Sequence, residues 1–393
     1  MSAMLVMPVM AILFAPAIWF LLGRPRFLSS LPPAEKPGKA SAAISIIIPA
    51  RNEETNIARL LESIQQQSSQ PLETIVVNDG STDNTASVAT KLGARVIDVE
   101  ALPDGWMGKP WACQQGAHAA HAAHAANAAN TANATNTTNS ATGDWLLFLD
   151  ADLILEPSAL HALSQVCAGS DQVHSVCPHH VIKHPYEQLS AYFNVLMLAG
   201  VNAFGIGKSA TDNAALFGQC LLISQKHYQQ VNGHETVKDK ALENFHLARQ
   251  FKQLGIPCSC YLGKGLIHMR MFPHGIGELW SSWKKGFTSG AAHTAPRALL
   301  LSSLWISGMM LTIVCLILSF TSYASDPFVL VTALAYLIYA CQSLRAFKLA
   351  GTFSAWNALF FPLSLLFYQT LFFSALIDKK RGKTTNWKGR AVQ

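Results

Sequence analysis

Trp145-Leu146-Leu147-Phe148-Leu149-Asp150-Ala151-Asp152 reads as a buried strand that ends in acid. Five apolar residues in a row suit a strand covered on both faces, and the two carboxylates stand at its carboxyl end. Open α/β sheets bind their ligands at that edge. Carboxylates one residue apart are costly there unless a cation or hydrogen-bond donors meet them. A hard divalent cation, Mn²⁺ or Mg²⁺, held by one or two carboxylates together with substrate phosphates, accounts for the pair. In isolation an acidic turn at a helix start looks the same, so the flanking sequence has to discriminate.

Working outward, residues from Ser41 to about Gly265 alternate short β-branched runs with helical patterns, the signature of a mostly parallel α/β sheet. Strands are expected at 43–48, 72–77, 94–99 and 144–149, and Ile57, Leu60, Leu61 and Ile64 fall at helical spacing between the first two. The first strand runs out in Pro49-Ala50-Arg51-Asn52-Glu53-Glu54 and the second in Asn78-Asp79-Gly80-Ser81-Thr82-Asp83, so both polar clusters share the edge that carries Asp150 and Asp152. Asp79 and Glu53 can accept hydrogen bonds from a base or ribose. A turn that caps the next helix through Ser81 or Asp83 is the competing reading of the second cluster. Neither GxGxxG nor GxxxxGK[ST] stands where a dinucleotide or P-loop site needs it.

Of the 393 residues, 50% are hydrophobic and only 13% charged, which calls for a membrane contribution. The net charge is +6, and Lys and Arg gather beside apolar stretches without interleaved aromatics, favouring lipid headgroups over nucleic acid as partner. Eight cysteines include no CxxC pair and read as reduced and structural.

The expected organisation is an N-terminal membrane anchor (1–23), a Pro-rich linker (24–42) with Pro32, Pro33, Pro37 and Gly38, an α/β domain (43–290), C-terminal membrane segments (298–377) and a basic tail (378–393). Arg24 and Arg26 after the first apolar run put Met1 outside and the α/β domain in the cytoplasm of a multi-pass protein of the cell membrane. Three crossings after that domain would leave the tail outside, against the same rule. The last segment, interrupted by Pro362, is therefore expected to be interfacial or re-entrant. Residues 117–142 form an Ala/His/Asn/Thr-rich tract, read as a tolerated surface insertion; His118, His121 and His124 lack supporting carboxylates for a metal. Ala191 to Gly207 reads as a core helix or as an interfacial helix lining an entry path from the bilayer, and Trp280, Trp283, Lys284 and Lys285 suit a headgroup layer.

"SIIIPARNEE" (45–54), "VVNDGSTD" (76–83) and "FLDADL" (148–153), in that order, resemble the inverting glycosyltransferases of family 2, whose fold is GT-A. With "DGWMGKPWAC" (104–113), "KGFTSGA" (285–291) and the terminal "WKGR" (387–390), the likeness extends to membrane-bound glycosyltransferases of diaponeurosporenoate-type carotenoid acids. The resemblance implies that Pro49, Ala50, Glu53 and Asp79 form the nucleotide pocket, with Asp79 facing the uracil of a nucleoside diphosphate sugar such as UDP-glucose. It places Asp150 near ribose and metal and makes Asp152 the ligand of an Mn²⁺ or Mg²⁺ ion that assists departure of the diphosphate. Lys109, at a helix start, is a candidate diphosphate contact.

Inverting transfer is one in-line displacement, and family members often take the acceptor proton with a Glu-Asp pair at a helix start. The matching residues are Glu243 and Asn244, and an amide cannot act as a base. Glu243 is thus the candidate catalytic carboxylate, or the lipophilic acceptor needs little deprotonation, as a carotenoid carboxylic acid would. A transferase acting on polyprenyl phosphate or another lipid, a non-catalytic sugar-nucleotide binder and a transporter are the alternatives, the last disfavoured because no polar pathway shows within the spans.

Overall fold

In the computed structural model, residues 3–30, 43–99, 101–131, 145–240, 242–290, 294–322, 324–381, 385–387 and 390–392 are described. Expectations for the linker prolines, for residues 132–142, for the side chains of His124, Lys285 and Lys379, and for the tail cations beyond Arg381 lie outside these residues.

The chain begins with α1 (Ala3–Phe14) and α2 (Ala17–Leu22) and continues through β1 (Ile44–Ala50), α3 (Glu54–Gln65), β2 (Glu73–Asn78), α4 (Thr85–Lys91), β3 (Arg95–Asp98), α5 (Gly108–Thr131) and β4 (Trp145–Leu149). Next come β5 (Leu153–Leu155), α6 (Ala159–Cys167), β6 (Val173–Cys177), β7 (His179–His180), α7 (Ala191–Val201), β8 (Cys220–Ser224), α8 (Gln225–Gln230), α9 (Glu243–Gln253), β9 (Cys258–Leu262) and β10 (Ile267–Met269). The remainder holds α10 (Ile276–Gly290), α11 (Pro296–Leu318), α12 (Asp326–Ala350), α13 (Ala355–Leu359) and α14 (Phe361–Lys380).

One compact unit comprises Arg26–His179 and Ala210–Arg270. Its seven-stranded sheet has the order β3-β2-β1-β4-β8-β6-β9, with β8 antiparallel to both neighbours and the other pairings parallel. β1 is buried along nearly its whole length and β4 throughout, so both read as near-continuous apolar runs. Parallel pairing of β1 with β2 and β4 brings the carboxyl ends of all three to one edge, with Ala50 opposite Asn78. Ile57, Leu60, Leu61 and Ile64 of α3 are buried, as their spacing predicts.

The Ala-rich tract starts as structure, which corrects its reading as a surface insertion from residue 117 onward. Ala112, Ala117 and Ala120 of α5 are buried, and a Cβ on Gly116 would collide with Ile47 and stand 2.9 Å from Val77 Cγ2. Small side chains let this helix lie close on β1 and β2. His118 and His121 meet Gln114 and Gln225 at 2.8 and 3.1 Å, and no group of three potential metal ligands occurs among the described residues.

The other unit comprises Met1–Pro25, His180–Ser209 and Met271–Gln393. Residues 180–209 and 271–290, expected within the catalytic domain, belong instead with the apolar helices. Four segments, Met4–Leu22, Pro296–Leu318, Asp326–Ala350 and Phe361–Asp378, are long and apolar enough to cross a membrane. α7 is buried in this unit: Tyr192 donates to or accepts from Ser343 at 2.9 Å and its ring meets Trp305 and Phe347. Pro362 does not interrupt α14. It stands in the first turn, where a missing N–H costs no helical hydrogen bond.

Pro16 breaks the first apolar segment into α1 and α2, and the amides of Ala15 and Trp19 then bond to Ile12 and Pro16, three residues back. The carbonyls of Ala11 and Ala15 lose their usual helical donors. Tyr339 Oη donates to Ala11 O at 2.7 Å and Gln342 Nε2 to Ala15 O at 3.0 Å, while Arg345 Nη1 donates to Leu22 O at 2.9 Å. The polar residues of α12 thereby complete the backbone of the first segment, as an apolar surrounding requires.

Candidate active site

The loops after β1 and β2 are stapled to one another. Asn52, with φ of 53°, accepts from the Thr82 amide at 2.8 Å, and its own amide donates to Ser81 Oγ at 3.0 Å. Asp83 Oδ2 accepts from the Glu54 amide at 3.1 Å and Glu54 Oε2 accepts from the Asn84 amide at 3.1 Å, a reciprocal cap across two helices. Burial opposes charge on Asp83, but bonds from the Thr85 hydroxyl and the Glu54 and Thr85 amides outweigh it and hold the carboxyl low. Ser81 is therefore a staple and no N-cap, and Asp83 serves two helices at once. Inside this frame Asp79 is buried; its amide donates to Ala50 O at 2.9 Å, and Arg51 Nη1 reaches Asp79 O at 2.9 Å and Asp79 Oδ2 at 3.8 Å.

After β4, the Asp150 amide donates to Gln219 O at 2.9 Å and Leu153 closes a turn onto Asp150 O, so the acidic pair sits in a fixed bend between β4 and β5. Burial, with the charges of Asp150 and Glu53 adding to it, pushes the Asp152 carboxyl up to about 7. Lys109 Nζ lies 2.7 Å from Asp150 Oδ1, 3.3 Å from Glu243 Oε1 and 3.5 Å from Gly218 O. Burial alone would lower the Lys109 pKa, yet Asp150 and Glu243 raise it above its ordinary value, so the ammonium stays charged. Pro49, Lys109, Asp150, Gly218, Glu243 and Asn244 surround a space of about 10 Å³, room for about one water. Behind it His234 is held neutral, its pKa lowered to about 3 by burial and by Lys109, and its Nδ1 meets Tyr228 Oη at 2.8 Å.

Residues 45–127 match the family model for glycosyl transferase family 2. The chain is 34% identical over 352 residues, 88% of each protein, to 4,4'-diaponeurosporenoate glycosyltransferase from Staphylococcus aureus. It is a family 2 glycosyltransferase. Its α/β unit is the GT-A fold. Among solved structures, glucosyl-3-phosphoglycerate synthase from Mycobacterium tuberculosis with Mn²⁺, UDP-Glc and phosphoglyceric acid is 20% identical, with TM-score 0.41 over 67% of this chain and 88% of that one. A mannosyltransferase from Pyrobaculum calidifontis with GDP-Man and Mn²⁺ is 16% identical, with TM-score 0.48 over 90% and 99%.

In this glycosyltransferase the residues expected at the site converge on one sheet edge. Lys109, Asp150 and Glu243 are in direct contact, Pro49 lines the same space, Glu53 stands near enough to act on Asp152, and Ala50 and Asp79 join through the backbone. Lys109, expected at the diphosphate, bridges two carboxylates. Asn244, the amide that follows Glu243, donates from its Nδ2 to Leu216 O and closes the loop before β8. Two participants escaped the sequence reading. Arg51 lies inside a quoted motif but shows its role only through its reach to Asp79. Gly218 carries no local signal: a Cβ there would stand 3.3 Å from Glu243 Oε1 and 3.4 Å from Asn244 Cβ.

Asp150, Asp152 and Glu53 supply only hard oxygen donors, and the Asp152 carboxyl is buried beside the charges of Asp150 and Glu53. That donor set fits Mg²⁺ or Mn²⁺ held by one or two carboxylates with phosphate oxygens completing the shell. It does not fit a cage built by protein alone, in keeping with the absence of a three-ligand group among the described residues.

Proposed function

We propose that this glycosyltransferase moves a hexose, glucose in our reading, from a UDP-sugar to a carotenoid carboxylic acid and forms a glycosyl ester. The placement of Glu243 carries the reading. One carboxylate, bridged by Lys109 to the acidic end of β4, faces the site, and its neighbour Asn244 is committed to Leu216. A single base that also serves as a counter-ion suits an acceptor that arrives ionised, because a carboxylic acid of pKa ~4 to 5 needs no deprotonation at neutral pH. Likeness to the S. aureus 4,4'-diaponeurosporenoate glycosyltransferase supports the acceptor class.

Asp79 and Arg51 frame the nucleotide end, Glu53 and the stapled loops hold that frame rigid, and Asp152 with Asp150 would hold the divalent cation. When bound, the cation supplies charge neutralisation at the departing diphosphate. Lys109 orients Glu243 and keeps it from repelling Asp150. Trp106 and Trp111, edge to face at 4.9 Å and three and two residues from Lys109, offer an apolar wall for a conjugated chain. We place the α/β unit on the cytoplasmic face, where nucleotide sugars are made.

The test is transfer from radiolabelled UDP-glucose to a C30 carotenoid acid by the purified full chain with Mn²⁺. A pigment product that releases glucose in mild alkali is expected, since esters are cleaved there and glycosides are not. Label appearing only in polyprenyl phosphate, or an alkali-stable product, would sink the ester reading. Asp152→Asn should lower the rate by about 10³-fold, the usual worth of several kcal/mol of charge stabilisation.

A further inference from the structure

Helix length alone gives four membrane crossings, but the contacts of the last helix describe a different path. α12 has 25 residues, enough to cross a bilayer. Past its end, Gly351 forms a β-bridge with His180 and the Thr352 amide donates to His180 O at 2.8 Å, which marks one edge of the helical unit. From that edge the chain turns back along α12. Tyr336 Oη donates to Leu359 O at 2.6 Å, and the rings of Tyr336 and Tyr339 lie 5.0 and 6.5 Å from Phe361. Both tyrosines stand near the middle of α12, so α14 begins at half depth and not at an edge.

α14 then runs back toward the edge it left. Ser364 Oγ donates to Asn357 Oδ1 at 2.5 Å, and Asn357 Nδ2 in turn donates to Gln188 O, on the segment that also binds Ser354. Further along, Phe367 meets Trp280 and Phe193, and near the end Asp378 pairs with Lys284 at 2.5 Å. Trp280 and Lys284 belong to α10, the helix that leads into the start of α11. The turn is built for an apolar medium: Trp356, Phe360 and Leu363 are exposed, while the Phe360 and Leu363 amides bond to Trp356 O and Phe360 O.

We propose that α13 and α14 form a re-entrant hairpin, so the chain crosses the bilayer three times and Lys380 and Arg381 meet the anionic headgroups of the leaflet that also holds Arg24 and α10. This path removes the conflict between the basic tail and the positive-inside rule.

Parity tests it. With Cys341, the exposed cysteine among the described residues, replaced by serine, Thr321→Cys in the α11–α12 loop and Gln393→Cys at the terminus are labelled separately in the full chain with a membrane-impermeant maleimide. Right-side-out vesicles are compared before and after permeabilisation. Three crossings put the two positions on opposite sides, so one is labelled at once and the other only after permeabilisation, whichever way the protein is oriented. Labelling of both in the same condition gives a fourth crossing and overturns the hairpin.

Discussion

Without the Lys109 ammonium, Asp150 and Glu243 would face each other across a space the size of one water. Lys109→Met should therefore cost at least ~10-fold in kcat/KM, about 1.4 kcal/mol of transition-state stabilisation, with Lys109→Arg recovering part; steady-state transfer measures both. Glu243→Gln separates acceptor types. With a carboxylic acid acceptor the loss in kcat should stay well under 10⁴-fold, the upper worth of one general base, whereas a hydroxyl acceptor should suffer the full loss. Equal losses with both acceptors would make Glu243 an obligatory base and remove the argument from acceptor ionisation. These residues could be found in the sequence because acids at strand ends and helix starts are local features. Gly218 and Arg51 could not, since each matters through an approach between segments remote in the chain.

The crossing of α5 over β1 and β2 depends on Gly116, and Gly116→Val should destabilise the α/β unit by about 1–3 kcal/mol, the ordinary cost of overpacking. Thermal unfolding of the purified protein in detergent, read by tryptophan fluorescence, checks it; an unchanged midpoint would mean that α5 can lift without loss. The strands were legible because β-branched, apolar runs buried on both faces have few other readings. Their observed limits differ from the expected ones by a residue or two. α7 was legible as a buried helix, but its partners were not: the same apolar surface suits a sheet or a bundle, and only Tyr192 against Trp305, Ser343 and Phe347 places it among the apolar helices. The alanine tract misled for a related reason, since low complexity hides that Ala112, Gly116 and Ala120 repeat at four-residue spacing toward the sheet.

Two buried histidines give the fold a definite response to acid. His174 and His234 are held neutral, with pKa values lowered to about 4 and about 3, chiefly by burial. Both lie below the value of ~6.5 for an exposed histidine, so the unfolded chain binds more protons and stability falls as pH drops below ~6.5. Between pH 7.5 and pH 5 each contributes a loss of about 2 kcal/mol. Asp152, whose carboxyl is raised to about 7, works in the opposite sense over that interval, but the two histidines together outweigh it and the unfolding midpoint should fall. His174→Gln should flatten the histidine contribution by one proton, and an unaltered slope would show that His174 is not held neutral.

The first apolar segment is addressed by three side chains of a helix more than three hundred residues later, through the two backbone carbonyls that Pro16 sets free and the Leu22 carbonyl at the end of α2. Hydropathy therefore does not define a replacement for it. A generic leader of equal length and apolarity, continuous as a helix, would insert normally yet keep its mid-helix carbonyls occupied, stranding the Tyr339 hydroxyl and the Gln342 amide in hydrocarbon. Leader exchange should yield a protein that reaches the membrane in normal amount and then unfolds or is degraded there, whereas a foreign leader carrying the same proline break should be tolerated.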